Sequence, residues 1–189
     1  MSGPAAAGAQ SGGPDSVLRD RANAAAMLRA LGASERLLRH LQLVGEAADA
    51  LMAVYSGLQL HFDARLIELG VALHDAGKIV HPEELDGPGS RHEPAGQALM
   101  LANGVPPALA RCCVSHAAWQ DPGNSFEELS VALADKLWKG KREEALELLV
   151  IDMAAAQRGQ ARWDVFTTLD SAFEDIAASG SERLRHSIV

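Results

Sequence analysis

Residues 63–78 read DARLIELGVALHDAGK, and this stretch decides the fold. Leu66, Leu69 and Leu73 recur at three- and four-residue spacing, the period of a helix with one buried stripe. Asp63 stands where an N-cap belongs, and Gly77 is expected to stop the helix. An apolar helix therefore ends in two ionisable residues, His74 and Asp75. Neighbouring helical side chains point about 100° apart, so both can grip one ion only if it lies near that helix end.

The same period extends in both directions. Upstream, the spacing predicts a helix capped by Ser16 and running through Leu31 to a stop at Gly32. A longer one is expected from Ser34 to Ser56, closed by Gly57, with Leu37, Leu41, Val44, Ala48 and Leu51 on one face. Downstream, Pro82, Gly87, Pro88 and Gly89 mark residues 78–91 as a loop. Helices follow at 93–103 and 107–118, and Ser125-Phe126-Glu127-Glu128 is a capping box opening another that carries Asp135 and stops near Gly140. Amphipathic segments at 142–158 and 163–178 complete the pattern, and no segment alternates as a strand would. The expected fold is all-α, a compact bundle of seven or so helices formed by a single domain over residues 16–180. Residues 1–15, small and glycine-rich, are expected to form a flexible tail.

Composition agrees with this class. Alanine and leucine dominate the apolar share and aromatics make up only 4%, which favours helices over sheets. A net charge of -8 argues against non-specific binding to nucleic acid. Apolar runs are broken by charge before membrane-spanning length, and no charged n-region leads into an apolar h-region, so neither a membrane span nor a signal peptide is expected. Cys112 and Cys113 are adjacent and ill placed for a structural disulfide, so a reducing, cytoplasmic setting is expected.

Six residues carry the candidate chemistry: His40, His74, Asp75, His92, His116 and Asp135. All are common ligands of divalent metals, and they are spread over five segments that a bundle interior can bring together. Their order and context resemble the HD superfamily of metal-dependent phosphohydrolases. Leu73-His74-Asp75-Ala76-Gly77-Lys78 is similar to its hallmark HD pair followed by x-G-K. Leu38-Arg39-His40-Leu41-Gln42-Leu43-Val44 resembles the helix of the first histidine, and Ala132-Leu133-Ala134-Asp135-Lys136-Leu137 the segment of the last aspartate. His92 with Gly96 resembles the H-x-x-x-G of two-metal members, and His116 matches the fifth position. The likeness spans residues 34 to 140.

The resemblance implies an HD-domain bundle holding one or two divalent ions (iron, manganese, zinc, cobalt or nickel), bridged by Asp75 if two are present. It implies hydrolysis of a phosphate ester or anhydride in a nucleotide-like molecule, with Asp75 and Lys78 as catalytic residues and Lys78 steadying the phosphate. Residues 79–96 look like a shortened form of the same region in HD-GYP phosphodiesterases. Ala117 follows His116 where that group has a second histidine, and no GYP motif is present, which argues against cyclic-di-GMP. Two rivals remain open: a di-iron oxygenase, since some members with this ligand set use dioxygen, and a non-catalytic binding or signalling domain of the same fold.

Other residues have plainer readings. Lys139 shares a helix face with Asp135 and is a candidate phosphate contact, whereas Lys136 suits the helix dipole. Lys141 and Arg142 are expected at the surface or substrate rim. Cys112 lies four residues before His116, a spacing that permits a zinc pair, but a buried thiol is the favoured reading. Trp119, Trp138 and Trp163 are expected in the core or pocket wall, and His61, His81 and His186 outside any site. An oligomer is compatible with the sequence.

Overall fold

A computed structural model describes residues 18–187, with side chains through residue 185. The expected tail, the Ser16 cap and the side chain of His186 lie outside the described residues. Among the described residues the protein is all-helical, with no strand. Its α-helices are α1 (Arg21–Ala30), α2 (Glu35–Gly57), α3 (Ala64–Leu73), α4 (His92–Ala102), α5 (Pro107–Ser115), α6 (Phe126–Leu137), α7 (Glu144–Arg158), α8 (Arg162–Ala178) and α9 (Gly180–Ser187). No helix among the described residues is long and apolar enough to cross a membrane.

Local chemistry accounts for most of these boundaries. Asp20, Ser34 and Asp63 each accept a hydrogen bond from the backbone N–H three residues on, capping α1, α2 and α3. The capping box of Ser125 and Glu128 is formed in full at the start of α6. Gly32, Gly140 and Gly159 turn the chain with positive φ after α1, α6 and α7.

Several expected bounds shift. Helix α1 begins at Arg21, where Asp20 supplies the cap. Helix α5 ends at Ser115 and α6 at Leu137, and α7 begins only at Glu144. The loop assigned to 78–91 contains one 3-10 turn, Pro82–Leu85, and the second half of another, Ala76–Ile79. Helix α9 has no counterpart in the expected pattern, because its polar sequence carries no apolar stripe.

Helix α3 is the centre of the bundle and packs against α1, α2, α5 and α6. Its apolar residues serve two faces rather than one stripe. Ile67 and Val71, four apart, enter a cluster with Leu51, Tyr55, Leu133 and Phe173 from α2, α6 and α8. Leu69 and Leu73, also four apart, enter a second cluster with Leu28, Met100 and Leu109 from α1, α4 and α5. Full burial of each such side chain contributes roughly 1.5–3 kcal/mol, so the position of α3 is strongly determined. Its C-terminal end, and with it His74 and Asp75, is fixed between the two clusters.

Candidate metal centre

Helix α3 ends at Leu73, four residues before Gly77. His74 keeps helical dihedrals as the C-cap, whereas Asp75 leaves them, at φ -103° and ψ 16°. That departure frees the two adjacent side chains from the 100° separation of a continuing helix and lets both face one point. Gly77 does not serve as a left-handed helix stop, since its φ is not positive. It is a point of close approach: a Cβ there would overlap the His92 carbonyl oxygen and lie 2.6 Å from the Gly96 nitrogen. Gly96 reciprocates, because its own Cβ would sit 2.8 Å from the Gly77 nitrogen. This backbone contact seats the first turn of α4 beside Asp75.

Four imidazoles converge on the Asp75 carboxylate through Nε2. On Oδ2 stand His40 at 2.9 Å and His74 at 3.6 Å; on Oδ1 stand His92 at 3.1 Å and His116 at 3.6 Å. His40, His74 and Asp75 form one group able to hold a metal ion, and Asp75, His92 and His116 form a second. Asp135 joins neither three-donor group, but its Oδ1 lies 3.7 Å from His74 Nε2. Lys78, in the 3-10 turn after Asp75, donates to Asp75 Oδ2 at 2.6 Å. All six expected donors are thus brought together, and His74, Asp75, His92, His116 and Asp135 are buried.

The outer nitrogens explain why Nε2 faces inward. His74 Nδ1 donates to the Val71 carbonyl at 2.9 Å and His116 Nδ1 to the Cys112 carbonyl at 3.1 Å. Those oxygens only accept, so Nδ1 carries the proton and Nε2 is the nitrogen left to coordinate. His74 Nε2 is wholly buried and has no hydrogen-bond partner. Such an atom is costly to bury. A divalent cation held by this nitrogen with the Asp75 and Asp135 carboxylates would satisfy it, and the donor set of imidazole and carboxylate suits such an ion.

Electrostatics reinforce the arrangement. Burial alone would push the Asp75 carboxyl up, but His74, His40 and His92 hold it well below the usual range. Asp135 is likewise depressed against the effect of burial, by His74 and Lys139. Burial would lower His74, yet the Asp75 and Asp135 carboxylates raise it. His116 is pushed down to about 4 by burial and by His74, and so is neutral near pH 7.

His40, Asp75, His92, His116 and Asp135 floor a cavity of about 360 Å³. Its walls carry Lys78, Lys136, Lys139 and Arg36, and Trp138, whose ring meets His40 edge-on at 4.8 Å. Lys139 Nζ lies 3.6 Å and Lys136 Nζ 3.8 Å from Asp135 Oδ2, so both contribute to the positive rim. A larger cavity of about 490 Å³ between α1 and α2 contains none of the six donors.

The remaining expectations divide. Cys112 and Cys113 are buried free thiols. Burial pushes Cys112 up to about 12, and among the described residues it joins no donor group. His61 is exposed, and His81 pairs with Glu83. Trp119 packs against the larger core cluster, but Trp163 is 70% exposed and is neither core nor pocket wall. Lys141 is exposed, whereas Arg142 clamps the buried Glu147 through two bonds of 2.7 Å and reaches Asp170 on α8 at 2.6 Å. Arg142 is therefore a tie between α7 and α8, not a rim residue. Glu84, Glu93 and Arg36 were missed as contributors to the site; Glu84 lies in an aperiodic Pro-Glu-Glu-Leu turn that gives no sequence signal of its burial. Comparison of the chain with family models, curated proteins and solved structures finds no match.

Proposed function

We propose that this protein is a metal-dependent phosphohydrolase acting on a phosphate ester or anhydride of a nucleotide-like small molecule. The observation that carries this reading is the convergence of four imidazole Nε2 atoms on the two oxygens of one buried carboxylate, beneath a cavity rimmed by lysines. The pairing of His40 and His74 with Oδ2, and of His92 and His116 with Oδ1, supports a two-ion site in which Asp75 bridges. Asp135 is the sixth ligand, through its approach to His74. Iron, manganese, zinc, cobalt and nickel all suit this donor set. A divalent ion bound there acidifies water to give a nucleophile near neutral pH and neutralises phosphate oxygens.

The protein's own residues do the rest. Asp75, Asp135 and the four imidazoles would hold the metal at the floor of the cavity. Lys78, held against Asp75 Oδ2, supplies a point charge beside the reacting centre, and Lys139 supplies one beside Asp135. A cavity of about 360 Å³ is of a size to accept a small phosphorylated molecule.

The same ligands would serve a di-iron oxygenase, and dioxygen uptake by the iron-loaded protein separates the two chemistries. The lysine rim favours phosphoryl chemistry. A binding domain without turnover would keep the metal and release no phosphate. The test is a phosphate-release screen over nucleotides with protein loaded in turn with each of the five metals. Release with one or more supports the reading; none with any metal contradicts it.

Lys139→Ala is expected to raise KM about tenfold and to leave kcat within a few-fold. It removes one charge-assisted contact to the substrate, present in ground and transition states alike and, at a partly exposed lysine, worth about 1.4 kcal/mol, the equivalent of tenfold. Steady-state kinetics on the substrate found in the screen checks this, and an unchanged KM would remove Lys139 from the binding site.

A further inference from the structure

His74 and His116 lie at the ends of helices and spend Nδ1 on carbonyls three and four residues back in their own chain. His92 has no such option, because it is the first residue of α4 and no helical turn precedes it. Its Nδ1 instead meets Oε2 of Glu84 at 2.7 Å, and its backbone N–H donates to the same oxygen at 3.0 Å. Oε1 of Glu84 accepts from the Arg91 backbone N–H at 3.2 Å and from Arg91 Nε at 3.3 Å. The Glu84 side chain is 3% exposed, an unusual state for a carboxylate. Glu84, His92 and Glu93 also lie close enough together to hold an ion, but both Glu84 oxygens already accept from N–H groups of Arg91 and His92. Gly89 lies flat against it, and any Cβ there would collide with its carboxylate.

From this arrangement we infer that Glu84 is the positioning residue of the His92–His116 half of the centre: it holds the proton on His92 Nδ1 and thereby aims Nε2 at Asp75 Oδ1. The inference rests on the metal reading of the centre. A carboxylate on the outer nitrogen of a ligating histidine fixes the ring and strengthens the inner nitrogen as a donor, and its loss characteristically costs 10- to 100-fold in metal affinity. Glu84 also accepts the first N–H groups of α4, so a purely structural role must be distinguished.

Glu84→Gln makes that distinction. A glutamine carbonyl oxygen in the place of Oε2 can still accept the His92 backbone N–H, but the side chain lacks the charge that holds the His92 proton. The probe is Mn²⁺, titrated calorimetrically into metal-free wild type, Glu84→Gln and Glu83→Gln, with thermal unfolding of each in parallel. Glu83 is on the same turn, is exposed, and pairs with Arg91 and His81. The expected result is a 10- to 100-fold loss of affinity at the weaker Mn²⁺ site of Glu84→Gln, little change in its melting temperature, and wild-type binding by Glu83→Gln. Wild-type affinity at every site of Glu84→Gln overturns the inference while leaving the metal centre intact. Equal losses in Glu84→Gln and Glu83→Gln overturn it as well, since any charge on the turn would then suffice. Absence of Mn²⁺ binding by the wild-type protein overturns the metal reading and this inference with it.

Discussion

Asp75→Ala is expected to empty the centre of metal and to lower phosphate release by about 10³-fold or more, with the helical fold retained. Asp75 is the single group contacted by His40, Lys78 and His92 at 3.1 Å or less and approached by His74 and His116 at 3.6 Å. Among the described residues His40, His74 and His116 belong only to three-donor groups that require Asp75, so its loss dissolves both of those groups together. The remaining imidazoles have no shared anion, and the His74 and His116 rings are only 4.8 Å apart between centroids. Imidazoles alone would leave two neighbouring cations without the anion that offsets their mutual repulsion. Loss of metal-supplied charge stabilisation worth about 4 kcal/mol corresponds to the stated factor. The fold should persist because Asp75 belongs to neither apolar cluster. Elemental analysis of the purified variant beside a phosphate-release assay and a circular dichroism spectrum checks each part. A folded Asp75→Ala protein with wild-type turnover would refute the assigned role. Asp75→Asn, which preserves shape but not charge, is expected to lose metal as well.

Gly77→Ala is expected to destabilise the protein by about 3 kcal/mol, a large cost for one methyl group. Most overpacking substitutions are relieved by the flexible end of a neighbouring side chain, at about 1–3 kcal/mol. Here the obstacles are backbone: the His92 carbonyl oxygen and carbon and the Gly96 nitrogen. Relief requires α4 to move away from the 3-10 turn, which carries His92 away from Asp75 and opens the second apolar cluster around Met100. The substitution should therefore lower both stability and metal affinity, and chemical denaturation with and without Mn²⁺ measures the two effects. Wild-type stability in Gly77→Ala would mean that α4 is not seated as described. Gly57→Ala, at a position with open space around it, is the matched control.

What the sequence revealed, and what it concealed, follows from the range of the forces involved. The helical class, the caps at Ser34, Asp63 and Ser125 and the stop at Gly32 depend on neighbours within a few residues, and these are legible as pattern. The six proposed ligands were legible as one set only through resemblance, as no spacing rule ties His40 to Asp135. Glu84 and Gly77 owe their roles to α4, which begins 8 and 15 residues later, and neither has a local signature. The end of α3 at Leu73 was hidden for the same reason. Residues 74–77 have nothing in their sequence that forbids a helix, and the chain leaves it to bring Asp75 to the centre. The exposed Trp163 shows the converse error, since an aromatic side chain alone does not establish burial.

A crystal structure of the wild-type protein grown with Mn²⁺, with the metal located by its anomalous scattering, is the most direct test. Two peaks are expected, one bounded by His40, His74 and Asp75 Oδ2 and the other by His92, His116 and Asp75 Oδ1, with metal–ligand distances of about 2.0–2.2 Å. A map with no peak among these side chains, or with manganese bound only elsewhere on the protein, would contradict the metal centre and every role assigned to it.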